Sequence, residues 1–364
     1  MVTRVTNTML TNQLLSNLSL NLNNMDRLQN QLANGRKYAH ISDDPSALIY
    51  GQAARNKLAR LSHYQKTVET AQSWLTQSEA GVMELQKVIG NVYEELVSAG
   101  SVKTAEDKRN LAMVVKQMQE HYVDTLNTAY GDRFVFAGYN TPGDFADGFE
   151  TFGIKPFHIK DAYNPANGRI EPSLHFNGFN ISEFDKDTLA AWNSKITSNP
   201  ELEQLLGDLL NFDVGPGISM PVTMNGIDLV MFTTRDPATG AQIVRNTFNV
   251  LQEIYLAING DPDPPGSPDP LGTDEFTLLI KTLQDAQNHL LVKTAEIGGR
   301  QRRLELLEAR YEQDHLNYES MRSDAEDVDM AEVIMYLKMA EAVYQAALSA
   351  GARVIQPSLM DFLR

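Results

Sequence analysis

The stretch KYAHISDDPSALIYGQ (37–52) sets two adjacent carboxylates, Asp43 and Asp44, directly before Pro45. Leucine-rich sequence with helical spacing lies on both sides. Proline at the first helical position after an acidic N-cap is a common helix start, and the residue before a proline resists helical geometry. The pair therefore reads as a joint between two helices, in preference to a metal site or an acid/base dyad. Asn34-Gly35 supplies the stop for the helix that precedes it.

Working outward, apolar residues before the joint alternate spacings of three and four: Leu15, Leu18, Leu22, Met25 and, past Gln29, Leu32. After Pro45 a second seam runs through Leu58, Leu61, Val68, Leu75, Val82, Leu85, Ile89, Val92 and Leu96. Gly100 and Ser101 interrupt it, and a third helical run follows from about Thr104 to Ala129. The C-terminal part mirrors this. Ile297, Leu304, Leu307, Tyr311, Tyr318 and Met321 form one stripe, and an acidic break follows at 324–329. Ser323 or Asp324 is the expected cap of the last helix, with Asp327 and Asp329 near its positive end. That helix carries Val333, Leu337, Ala340, Tyr344, Ala347, Gly351 and Val354 on one face. Its other face is also apolar, with Ile334, Met339, Val343, Ala346, Leu348 and Ala350. A helix apolar all round needs cover on every side, which points to packing between subunits.

The middle is different. Thirteen of the 15 prolines fall between Pro142 and Pro270, and thirteen of the 14 phenylalanines between Phe134 and Phe276. PVTMNGIDLVMF (221–232) and SLHFNGFNI (173–181) read as Asn-Gly hairpins, helical insertions are expected near 186–210 and 243–259, and DPDPPGSPDP (261–270) reads as a stiff linker. The expected class is α+β: a long antiparallel helical rod of N- and C-terminal arms with an inserted β-rich globular domain. The expected division is 1–44 with 325–364, 45–140 with 275–324, and 141–274.

Little in the chain suggests chemistry. Lys and Arg number 31 and Asp and Glu 47, a formal charge of −16, which disfavours nucleic acid and anionic membranes as partners. With no cysteine there are no disulfides, thiolate nucleophiles or Cys-held metals. This suits a protein exported unfolded, and equally one living outside a reducing cytosol without disulfide staples. The opening MVTRVTNTMLTNQLL shows no apolar signal core, and no apolar run is long enough to span a membrane. The seven histidines fall in no metal-ligand spacing, and the acids at 324–329 lack the glycine and terminal glutamate of a calcium loop. No catalytic, cofactor-binding or metal residue is expected. An enzyme in the middle domain, built on His158 and His175, stays a remote alternative.

QNQLANGRKYAHISDDPSALIYGQ (29–52) resembles the N-terminal signature of bacterial flagellins and their relatives, through Leu32, Gly35, Lys37, Asp43, Asp44 and Pro45. Residues 324–362 are similar to the family's closing signature, with Asp327, Asp329, Ala331 and Glu332 at its helix start and Gln356-Pro357-Ser358-Leu359 near its end. YGDRFVFAGYNTPGDF (130–145), the opening residues and the compact middle favour a junction member of the family over the filament subunit. Tyr38 and His40 depart from the pattern. The resemblance implies export unfolded through the flagellar channel, without a cofactor, and assembly by the terminal arms into an inner coiled-coil layer. It implies as partners further copies of the chain, the first hook-associated protein, flagellin and an export chaperone. Leu15, Leu18, Leu22, Met25, Leu32, Val333, Leu337, Ala340, Tyr344, Ala347 and Val354 are the expected interface, and Gly35, Asp43, Asp44, Pro45, Asp324, Asp327 and Asp329 the expected joint.

Overall fold

A computed structural model describes residues 7–38, 42–100, 104–138, 141, 155–164, 169–207, 209–236, 239–259 and 273–360. In chain order, helices α1 (Asn7–Asn34), α2 (Pro45–Ala99) and α3 (Ala105–Leu126) come first. Short strands β1 (Ala129–Tyr130) and β2 (Arg133–Phe134) follow, then β3 (Phe157–Asn164), β4 (Arg169–Phe176) and β5 (Phe179–Asn180). After a 3-10 turn at Ile181–Phe184 come α4 (Leu189–Ser198), α5 (Pro200–Gly207), β6 (Asn211–Gly215) and β7 (Ile218–Pro221). The next elements are α6 (Ile227–Val230), β8 (Met231–Arg235), β9 (Gln242–Asn246) and α7 (Thr247–Asn259). The chain closes with α8 (Thr273–Glu326) and α9 (Met330–Met360). Two compact units result: Met1–His63 with Arg310–Arg364, and Tyr64–Ala309.

In the second unit the seam read from the sequence is the core. Val68, Leu75, Val82, Leu85, Ile89, Val92 and Leu96 of α2 are buried, as are Ile297 and Leu304 of α8. Polar pairs flank this seam: Gln72–Glu308 at 2.8 Å, Glu79–Gln301 at 2.9 Å and Gln86–Thr294 at 2.8 Å. Residue numbers rise on one helix as they fall on the other, so α2 and α8 run antiparallel. Thr104 caps α3, its Oγ1 accepting from the Asp107 amide at 3.3 Å. Helix α7 packs on α3 and buries Phe248, Leu251 and Ile254.

The strands form small antiparallel sheets, of which β3-β4-β5 is the largest among the described residues. Asn177 and Gly178 turn β4 into β5, both with positive φ (46° and 88°), as an Asn-Gly hairpin requires. The second expected hairpin does not form. Asn225 bridges to Ala137 instead, and the Gly226 amide donates to the Phe136 carbonyl at 2.8 Å. The Asn225 side chain accepts from the Ile227 amide at 3.2 Å and starts the turn α6, and β8 pairs with β9. The physical reason is distant in sequence. A Cβ on Gly226 would lie 2.7 Å from the Phe136 carbonyl oxygen and closer still to the Phe157 ring, so this glycine serves close packing. Within FVFAG (134–138) only Phe134 is in a strand, paired with Ala129 of β1. The expected linker at 261–270 lies outside the described residues, as do Ser101 and His40.

A buried ion cluster ties the same unit together. The Arg245 guanidinium on β9 reaches Asp185 at 3.0 Å and Glu253 of α7 at 2.7 Å. Burial opposes ionisation of Glu253, but the Arg245 and Lys186 charges outweigh it and hold the carboxyl below its ordinary range.

Candidate assembly interface

The first unit holds the sequence-predicted joint and the terminal helices. Helix α1 ends at Asn34, and Gly35 takes a φ of +67° while its amide donates to the Gln31 carbonyl at 2.8 Å. This is the left-handed helix stop that glycine adopts without a Cβ penalty. The chain leaving it pairs with the break between α8 and α9. The Lys37 amide donates to the Glu326 carbonyl at 2.7 Å, and the Val328 amide to the Gly35 carbonyl at 3.1 Å. Arg36 and Asp327 face each other across this antiparallel bridge. The Lys37 ammonium donates to the Asp324 carbonyl at 2.7 Å, and the Tyr38 hydroxyl to the Ala325 carbonyl. Desolvation pushes the Tyr38 phenol up, and the nearby Asp44 and Glu326 charges add to it.

Asp44 then starts α2. Its Oδ1 accepts from the amides of Ser46 at 3.1 Å and Ala47 at 3.0 Å, and from the Ser46 hydroxyl at 2.8 Å. These bonds stabilise the carboxylate and hold its pKa below the usual value. Asp43, beside it, is exposed. About three turns into α2, Arg55 Nε donates to Glu326 at 3.0 Å. A Cβ on Gly51 would sit 2.5 Å from Glu326 Oε1, so the glycine leaves room for this pair.

The acidic break differs from expectation in its cap. Helix α8 continues through Ser323 and Asp324 to Glu326, and Asp329 caps α9. Asp329 Oδ1 accepts from the Ala331 amide at 2.9 Å and the Glu332 amide at 3.3 Å. Ser323 and Asp324 do not act as caps because their own backbone stays helical, with the Asp327 amide still donating to the Ser323 carbonyl at 2.8 Å. The structure thus brings Gly35, Asp324 and Asp327 together, with Asp44 and Asp329 capping the two outgoing helices.

Helices α1 and α9 pack against each other. Asn21 donates to the Ala340 carbonyl at 3.1 Å, and Leu28 and Val333 are buried. A Cβ on Gly351 would lie 2.6 Å from Leu14 Cδ2, so α1 closes on α9 at a glycine. On α9 the sheltered residues are Val333, Leu337, Ala340, Tyr344, Ala347 and Gly351, whereas the Val354 side chain lies outside the described residues. On α1 the sheltered positions are Leu14, Leu18, Asn21, Met25, Leu28 and Leu32. Leu15 and Leu22 of the expected stripe are exposed. Leu14 and Leu28 were missed because α1 carries two overlapping leucine stripes.

Helix α9 then keeps a second apolar face that the described residues leave uncovered. Ile334, Met335, Tyr336, Met339, Val343 and Leu348 are each 44% or more exposed. Such a contiguous stripe marks an interaction surface. Among the described residues no group of three or more His, Cys, Asp or Glu side chains is placed to hold a metal, and no helix is long and apolar enough to cross a membrane. His158 and His175, the residues of the enzyme alternative, stack across β3 and β4 with centroids 5.4 Å apart. Asp124 nearby is paired with Lys155 at 2.9 Å.

Residues 5–141 match the family described as the bacterial flagellin N-terminal helical region. The chain is 25% identical over 150 residues to flagellar hook-associated protein 3 of Salmonella typhimurium, covering 40% of this chain and 47% of that protein. It is 26% identical over 149 residues to the flagellar filament 30.7 kDa core protein of Treponema maltophilum, covering 40% and 50%. The matched stretch therefore spans about half the length of these relatives. Among solved structures, a flagellar hook-associated protein from Vibrio parahaemolyticus superposes with TM-score 0.54 at 15% identity, over 78% of this chain and all of that one. FlgL of Xanthomonas campestris superposes with TM-score 0.51 at 13% identity, over 74% and 99%. The fold is flagellin-like α+β, and the chain resembles hook-associated protein 3.

Proposed function

We propose that this chain is a structural subunit of the bacterial flagellum that joins hook to filament. The observation that carries the reading is the uncovered apolar face of α9 beside the paired breaks. A helix with apolar surface on two sides recovers its ordering entropy only when partners cover both. Further copies of the chain would cover it in a ring. The first hook-associated protein and flagellin would lie on either side, and an export chaperone would shield the face before secretion. On this reading 1–44 with 325–364 is the assembly layer, 45–140 with 275–324 the helical body and 141–274 the outer domain. The names of the similar proteins favour a structural role over an enzymatic one.

A second reading, a filament subunit, has its own support in the match to the Treponema filament protein. Abundance separates the two, since a filament subunit dominates sheared flagella whereas a junction protein is a trace component. The assembly face is tested by Met339→Asp with Val343→Asp. Both side chains are more than half exposed, so helix content by circular dichroism stays at the wild-type level while incorporation into flagella is lost. Incorporation at the wild-type level would remove the reading.

A further inference from the structure

The first four turns of α2 expose a second surface that the assembly reading does not use. Gly51 and Arg55 face inward to Glu326. The outward face carries Ile49 and Tyr50, 67% and 66% exposed, followed by Ala53, Asn56, Lys57 and Arg60. Spacings of three and four place these on one side of the helix. In a chain of net charge −16, no acidic residue occurs between Asp44 and Glu69. Lys57 lies over the Tyr318 ring at 5.0 Å, and Arg60 extends the basic end of the face.

The same unit carries a surface of opposite sign. The open cleft at the α8–α9 break is lined by Asp324, Asp327, Asp329 and Glu332, against Arg27 and Lys37. The Lys37 ammonium is already engaged by the Asp324 carbonyl. Beside the cleft stand the exposed apolar side chains Met330, Ile334, Met335 and Tyr336. Each surface thus combines an apolar patch with an excess of one charge, and the two signs are complementary.

We propose that the Ile49–Arg60 face of one copy docks on the Asp324–Tyr336 face of the next. This rests on the assembly reading and deepens it by naming the two patches that meet. Because they differ, the contact is head-to-tail, the type that closes into a ring or propagates as a helix. Ile49 and Tyr50 meet the apolar end of α9, while Arg60 meets the acids at the break, which fixes the register.

The absence of native cysteine makes the contact directly testable in flagella sheared from producing cells. Full-length chains with Arg60→Cys and chains with Asp324→Cys are produced together and treated with a short bis-maleimide. The expected product is a dimer of two chains from the mixture and none from either variant alone. A dimer from Arg60→Cys alone, a cross-link to a protein of another mass, or no cross-link in flagella that contain the chain would overturn the docking. In the last case the structural role would stand. Absence of the chain from flagella would remove the assembly reading itself. A charge swap adds a second readout. Arg60→Glu lowers incorporation about threefold, as expected for a partly exposed ion pair, and adding Asp324→Arg restores it. Failure of the double variant to restore incorporation would show that these residues do not face each other.

Discussion

At the scale of single residues, similar sequence signals led to different outcomes. Gly35 was legible because its task is local: an Asn-Gly after a helical stripe ends the helix, and the positive φ follows. Gly226 was not legible, because the Phe157 ring and the Phe136 carbonyl decide its role. Asp329 was read as one acid among several, since any acid near a helix start satisfies the same rule, and only the extent of α8 selects the cap. The stacked His158–His175 pair, which the assembly surface does not use, yields a pH prediction. Burial holds His175 below the ordinary histidine value of 6.5, helped by the Lys160 charge and opposed by Glu183 and the Gly178 backbone. Below 6.5 the unfolded chain therefore binds a proton that the folded chain binds less readily, and stability falls as pH drops towards the folded value. Denaturant midpoints measured from about pH 7 to about pH 5 should decline for the wild type and flatten for His175→Gln. Equal slopes would show that the pair does not report this proton.

At the scale of elements, helices were the most legible part. The α2 seam and the sheltered α9 stripe were readable because each offers one dominant run at spacings of three and four. Helix α1 offers two, and the sequence alone favoured the one containing Leu15 and Leu22. Contact with α9 selects the other, through Leu14, Asn21 and Leu28. This predicts opposite behaviour for two leucines on one helix. Leu28→Ala removes buried surface and should destabilise the α1–α9 pair by about 2 kcal/mol, seen as faster hydrogen exchange in both helices. Leu22→Ala should leave exchange in the free chain unchanged while lowering incorporation into flagella. Equal exchange in the two variants would mean that the seam is drawn on the wrong face.

At the scale of the whole molecule, the sequence divided terminal helical parts from a proline- and phenylalanine-rich middle, and strands do concentrate between Ala129 and Asn246. What the sequence left open was which groups join the two acidic breaks. The acidic segments around Asp44 and Asp327 are nearly three hundred residues apart in the chain, yet residues 35–38 hydrogen-bond to residues 324–328. Pairing of this kind depends on backbone groups that every residue carries, so side-chain patterns do not announce it. The α9 face left uncovered beside this pairing is what makes the chain a candidate building block. The central claim is that the chain occupies the boundary between hook and filament. Immunogold labelling of purified flagella with an antibody against residues 141–274 tests it most directly. The account predicts a single narrow band at the hook–filament boundary; label along the length of the filament, or none on flagella, would contradict it.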